Sequence, residues 1–413
     1  MDKGDYVTAA LAVLVILVAS LSIYDSIQLS RLQADVSRLS GSVSAMNSTL
    51  MTYIGYESNL TKSAEELGYD LSQVNSSLAQ QVSELESQIR TIESRIGFPV
   101  IIVDALNRSV VVPSQPSRIV SLDPAATEIL LAIGASDQLV GVDNDSITYL
   151  PPPFNNTLHL LVAEGAVKVI GSTYTSPSIE EILSLRPDLV IGTAGWGYNN
   201  YIAETLQQYG IPVILLPSTA SLEDIYRAVI MAGEATGHVV QAVEVVENMS
   251  EAVAETEAAV RGQGEVNATV VLWINPTYVA GGSTFINDLI TLAGGTNVFG
   301  NLSGWPVISP EELLQANPSL IIIMSNGGLF NASSFYSWLN STIGPAYTDI
   351  AAVRSGRVYV ITGWYEDVVS EPGVLAPLAL RLIAILLHPQ AFNVTSLPQL
   401  VSPSDLPINV NEG

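Results

Sequence analysis

The chain of 413 residues contains no cysteine. That excludes disulfides, thiolate metal sites, cysteine nucleophiles and lipid attachment at an N-terminal cysteine. Cations are scarce as well. Lys3, Lys62 and Lys168 are the only lysines, and 15 basic residues face 40 acidic ones, for a net charge of -25. A field of that sign repels phosphate backbones, so nucleic acid is not an expected partner. The three histidines, His159, His238 and His388, are far apart in sequence and in no paired spacing, which argues against a histidine metal centre. The chain also lacks a G-x-S-x-G nucleophile motif and a Walker loop. Gly195-Trp-Gly197 is followed by Asn200 where a dinucleotide fingerprint needs glycine. These absences point to a protein that binds rather than catalyses and has no metal or cofactor of its own.

The residues that are present divide the chain into zones. Residues 6–24, YVTAALAVLVILVASLSIY, are uncharged, and the run of about 19 is close to the roughly 20 that a membrane-crossing helix needs. Val18-Ala19-Ser20 offers small residues for a cleavable signal peptide, but no polar stretch comes after it, so a retained anchor over 1–24 is expected. Over 25–97, apolar residues then recur in alternating steps of four and three: Leu32, Val36, Leu39, Val43, Met46 and Leu50, resuming later through Leu85, Ile89, Ile92 and Ile96. Such a heptad seam, broken at Glu57, predicts a coiled-coil stalk, either a parallel homo-oligomer or a hairpin bent near Gly55 or Gly68. If straight, it would lift the next domain by roughly 100 Å, at 1.5 Å per residue. About a dozen Asn-x-Ser/Thr sequons, Asn155, Asn267 and Asn331 among them, suit a glycosylated protein with its bulk outside the cell.

From 98 onward, short β-branched runs alternate with helical segments, as in parallel sheets covered on both faces. Candidate strands are 118–122, 139–142, 167–170, 189–191 and 213–216, then 268–274, 320–324 and 358–361. Two segments repeat. Residues 178–191, SIEEILSLRPDLVI, align without gaps on 309–322, SPEELLQANPSLII, and 127–135 resemble 287–295. Repeats in the same order imply two lobes of related topology. The expected division is an N-terminal α/β lobe over 98–218, an inter-lobe helix over 219–262, and a C-terminal α/β lobe with a tail over 263–413. The proline-free segment 221–261 reads as one long helix or two nearly collinear ones, leaving a cleft between the lobes that suits a ligand.

The run 104–113, DALNRSVVVP, leading into 118–128, RIVSLDPAATE, resembles the start of the solute-binding proteins that serve ABC importers of cobalamin, iron-siderophores and haem. The likeness covers 100–392. Trp273-Ile-Asn-Pro-Thr-Tyr278, followed by 282–287, 294–299 and Trp305-Pro306, is most similar to the cobalamin-binding branch. The resemblance implies two lobes joined by one long helix, an ABC permease as partner, and a transported corrinoid or metal chelate as ligand. It also implies docking through one glutamate per lobe. Ser178 and Ser309 are predicted N-caps, which puts Glu181 and Glu312 at the capping-box position and leaves Glu180 and Glu311 facing outward for the permease. For the ligand, it points to Tyr174, Trp196, Tyr278, Trp305 and Trp364, with Tyr198 and Tyr365 nearby. Trp196 is slightly offset from the family pattern. Aromatic faces grip a large rigid ligand with little entropy loss. Arg and Lys are nearly absent from the same loops, which favours a neutral corrinoid over haem or an anionic siderophore. A structural cell-surface protein assembling through its coiled coil is the alternative from another class.

Overall fold

The computed structural model describes residues 97–406, except 219, together with 408. The anchor expected over 1–24 and the stalk over 25–97 lie outside the described residues, apart from Gly97. Among the described residues no helix is long and apolar enough to cross a membrane. The described residues from 102 onward form one compact unit.

The first lobe follows a two-stranded sheet of β1 (Val100–Val103) and β2 (Ser109–Val112). In chain order come β3 (Ile119–Ser121), α1 (Pro124–Ala132), β4 (Leu139–Val142), α2 (Asn144–Tyr149), α3 (Phe154–Ala163) and β5 (Lys168–Val169). Next are α4 (Ile179–Ser184), β6 (Leu189–Thr193), α5 (Asn199–Gln207) and β7 (Val213–Leu216). The five strands from β3 to β7 are all parallel, in the order β5-β4-β3-β6-β7. Their apolar runs are buried on both faces, as an α/β sheet requires: Val120, Val190 and Leu215 pack with Ile182, Ile202 and Leu206 from the helices.

Two helices come next, α6 (Leu222–Thr236) and α7 (Val239–Val260). The expectation of one helix, or two nearly collinear ones, is corrected here. Gly237 ends α6 in the left-handed region, with φ 82°, and α7 folds back along α6. Small residues let the two helices approach this closely, since a Cβ on Gly233 would overlap that of Ala242. The start of α6 is held by the second lobe, where Leu222 N donates to Asp288 Oδ2 at 2.9 Å. Its end is held by the first lobe, where Gln115 and Gln138 donate to Thr236 O at 3.3 and 3.1 Å. The chain therefore crosses between lobes after β7, again along α6 and again along α7.

The second lobe contains β8 (Val266–Trp273), β9 (Thr277–Val279), α8 (Phe285–Leu292), β10 (Gly295–Asn297), β11 (Val307–Ile308), α9 (Pro310–Ala316), β12 (Leu320–Met324) and α10 (Ala332–Ile343). After these come α11 (Ala351–Arg354), β13 (Val358–Ile361), α12 (Trp364–Ser370), α13 (Ala376–Leu387) and β14 (Leu400–Val401). The sheet order is β11-β9-β8-β12-β13-β14, with β10 also on β8. Here the sheet is mixed rather than purely parallel. The connection from Trp273 to Thr277 is too short for a crossover, so β9 returns antiparallel to β8, and β11 pairs antiparallel with β9. Its core gathers Val271, Leu313, Ile321, Ile323, Phe335 and Leu339. The repeated segments fold alike: each is a serine-capped helix, α4 or α9, leading into a central strand, β6 or β12.

Candidate functional site

In both lobes the loops that leave the C-terminal ends of the parallel strands carry the polar and aromatic side chains not needed by the cores, the usual ligand edge of such sheets. In the first lobe the chain turns outward in opposite directions after β3 and β6, and the crevice between them is filled by Asp123. Its carboxylate caps α1 through Ala126 N at 2.9 Å, accepts from the hydroxyl and the backbone N–H of Thr193, and takes Asn199 Nδ2 at 2.8 Å. Burial still pushes its pKa up against those bonds.

Above Asp123, two loops interlock. Tyr198 N donates to Thr173 O at 3.0 Å, and a Cβ on Gly197, with φ 44°, would lie 2.6 Å from Tyr174 Cα. The close approach brings the Tyr174 and Trp196 rings to 5.2 Å between centroids. Tyr174 is 54% exposed. Trp196 is half-buried and its indole N–H has no partner among the described residues.

In the second lobe Trp273 ends β8 beside Tyr278 of β9. Its ring stands perpendicular to Phe330 at 4.7 Å, and its N–H donates to Asn275 O at 3.1 Å. Phe330 and the exposed Leu329 sit on a loop anchored by Glu366, whose carboxylate accepts from Asn326 N and Gly327 N. Asn326 Nδ2 ties the same loop to Leu272 O at 2.7 Å. Trp305 is 47% exposed, on a loop hydrogen-bonded to Gly281 and Gly282.

The expected ligand residues thus fall into separate groups. Tyr174, Trp196 and Tyr198 share one surface of the first lobe, while Tyr278 and Trp305 belong to the exposed edge of the second. Trp364 is half-buried and packs at 4.6 Å on Tyr365. Tyr365 itself is core, fully buried, with its hydroxyl bonded to Leu406 O and Ile408 N. Sequence reasoning did not single out Phe330 or Leu329, and it named Trp273 only as part of the family motif. The position of Trp273 as the last residue of a strand was the available signal.

Charges link the two edges. Glu371, at the end of α12, is within electrostatic reach of Asp367 in its own lobe and of Asp123, Glu128 and Asp143 in the first, an acidic cluster drawn from both lobes. Burial first, then these neighbours, pushes the Glu371 carboxyl up to about 8. Burial is also the largest cause at Asp143 and Asp367, both raised to about 7. No Arg or Lys lies in the strand-end loops at 123–128, 143–149, 171–179, 193–200, 273–285, 298–310, 325–331 or 362–373. Among the described residues no group of three or more acidic, histidine or cysteine side chains is placed to hold a metal ion.

A cavity of about 730 Å³ lies elsewhere, between α7, α13 and the ends of α1 and α3. Leu131, Phe154, Met249, Leu378 and Arg381 line it, and none of the candidate aromatics does.

Glu180 and Glu311 are both exposed at the second position of α4 and α9, and neither carboxylate has a partner among the described residues. The expected pair of capping boxes forms only once. Glu312 reaches back to Ser309 N at 2.7 Å, whereas Glu181 turns instead to Lys168 Nζ at 2.6 Å. The competing cation comes from β5, a partner no local pattern contains.

A profile of the periplasmic binding protein family matches residues 119–364. The chain is similar to an uncharacterised ABC transporter substrate-binding lipoprotein of Bacillus subtilis, at 26% identity over 300 residues, 71% of this chain and 87% of that one. It is similar to a cobalamin-binding protein of Halobacterium salinarum at 28% identity over 228 residues, covering 54% of this chain and 58% of the relative. Among solved structures, the periplasmic vitamin B12 binding protein of Vibrio cholerae superposes with a TM-score of 0.55 at 20% identity, over 67% of this chain and 98% of that one. A periplasmic heme-binding protein from Roseiflexus gives the same TM-score at 24% identity, over 67% and 99%. At those identities the structures speak for the fold alone.

Proposed function

Because the chain belongs to the periplasmic binding protein family, matched over residues 119–364, and is thus a solute-binding protein rather than an enzyme, we propose that it captures a neutral, cobalamin-like corrinoid for an ABC importer. The observation that carries this reading is the make-up of the strand-end loops: exposed aromatic rings on both lobes and no cation among them. Carboxylates of haem or an anionic siderophore would find no basic partner there. A corrinoid is large, rigid and partly apolar, and needs broad ring contacts more than charge. The cobalamin-binding relative from Halobacterium supports the choice.

On this reading Tyr174, Trp196, Tyr278, Trp305 and Trp364 contact the ligand, joined by Trp273 and Phe330. Glu180 and Glu311 dock on the permease, where two separated acids match two basic pockets. Residues 1–24 hold the protein at the membrane, 25–97 form a coiled-coil spacer, and the sequons carry glycans. Docking then requires the spacer to bend or fold back, because a straight one would keep the lobes far from the permease.

Titration of the full-length chain in detergent with cyanocobalamin, haem and a ferric siderophore tests the proposal. Stoichiometric, micromolar or tighter capture of cyanocobalamin without turnover is expected. Preferential binding of haem or the siderophore would replace the ligand, and binding of none of them would favour a surface protein that assembles through its stalk.

A further inference from the structure

One side chain of the first lobe reaches directly into the second. Glu128, on the buried face of α1, is 2% exposed. Its Oε1 accepts from Leu375 N at 2.9 Å, and the backbone N–H of Val374 also bonds the carboxylate. Leu375 is the N-cap of α13, a helix of 12 residues with no side-chain cap of its own. The carboxyl group from the other lobe therefore satisfies the N-cap amide of this helix, at the end where its dipole favours negative charge. Among the described residues, no other side chain forms a hydrogen bond directly between residues 98–218 and 263–406. The other polar ties between the lobes run through α6.

The fit depends on Gly373, since a Cβ there would overlap the Glu128 carboxylate. Near this contact Glu371, two residues before Gly373, is within electrostatic reach of Glu128 and of Asp123, Asp143 and Asp367. Leu131, Ala132, Val374 and Leu375, next to the contact in the chain, border the 730 Å³ cavity. A directional bond thus ties the lobes together beside an open cavity that leaves room for movement. That is the arrangement of a pivot.

We propose that Glu128 is a positioning residue for solute capture: by gripping the start of α13 it fixes the angle between the lobes and so the width of the cleft. The effect on affinity rests on the solute-binding reading, whereas the effect on the lobe angle does not.

The test uses the full-length chain, whose lack of cysteine allows two spin labels to be placed without background, through Ser176→Cys and Leu302→Cys on exposed sites of the two lobes. Pulsed dipolar spectroscopy reads the distance between labels, and cyanocobalamin titration reads affinity. Glu128→Ala should broaden and shift the distance distribution and weaken cyanocobalamin binding about tenfold, because the binding-competent angle becomes a minor population. Glu128→Gln keeps an accepting oxygen and should hold both readouts within about twofold of the parent. Gly373→Ala leaves Glu128 in place but displaces its carboxylate, and should reproduce the alanine result even if Glu128→Ala fails to fold. An unchanged narrow distribution in Glu128→Ala or in Gly373→Ala overturns the proposal. Shifted distances without cyanocobalamin binding in any form would uphold the pivot and reject only the ligand.

Discussion

Replacing Glu371 by glutamine should stabilise the protein, and should do so more strongly as pH rises. The carboxyl of Glu371 accepts no hydrogen bond among the described residues and faces four other acids, and its pKa is raised from 4.5 to about 8, with burial as the main cause. A raised pKa means that the folded state prefers the neutral form. Its stabilising effect is complete below the unfolded value of 4.5 and is lost as pH climbs through about 8. At about 1.4 kcal/mol per pH unit, the native glutamate costs about 2 kcal/mol at pH 6 and up to about 5 kcal/mol at pH 8 relative to a side chain that cannot ionise. Glutamine has nearly the same shape and no charge. Urea unfolding of parent and variant at pH 4.5, 6 and 8 should therefore give a stability gap that opens from near zero to several kcal/mol. A gap that does not vary with pH, or a variant less stable than the parent at pH 8, would refute burial among these acids as the source of the shift.

Other expectations concern docking, ligand contact and the helical hairpin. Glu180→Ala combined with Glu311→Ala should abolish uptake in a reconstituted transport assay while leaving ligand affinity intact, and a loss of affinity would remove both residues from the docking role. Trp196→Ala and Trp273→Ala should each weaken cyanocobalamin binding by about tenfold, the scale of one lost aromatic contact. Calorimetry showing no change in either would move the ligand away from these edges. Gly237→Ala, which forces a side chain into φ 82°, should cost about 1 to 2 kcal/mol in urea unfolding.

The central parallel strands, the serine caps at 178 and 309 and the internal duplication were legible because each is written in contiguous residues with a local physical cause, whereas the short edge strands β9, β10, β11 and β14 were not. Glu180 and Glu311 stand exposed at their predicted helix positions for the same reason. The features that escaped were decided by partners distant in sequence. Gly237 reads equally well as a kink or a reversal, and the choice depends on small residues such as Gly233 and Ala242 meeting across the fold. Trp364 and Tyr365 are adjacent aromatics, and only the tail at 406–408 determines that the second is core. Lys168 takes Glu181 from its expected cap. Asp123, Asp143, Asp367 and Glu371 form no motif, and their grouping exists only once both sheets are in place.

The hairpin of α6 and α7 also changes how the two lobes are coupled as a mechanical pair. With a single connecting rod, one cut would free the halves and one flexible residue would let them twist. Three antiparallel spans share the load, so the joint resists torsion. A protease nick between β7 and α6 would leave the halves held by the two helices and by the contact of Glu128 with α13. New chain ends opened at that site would fall in a link rather than in a lobe, which makes it the natural place to permute the protein or to splice in a reporter domain.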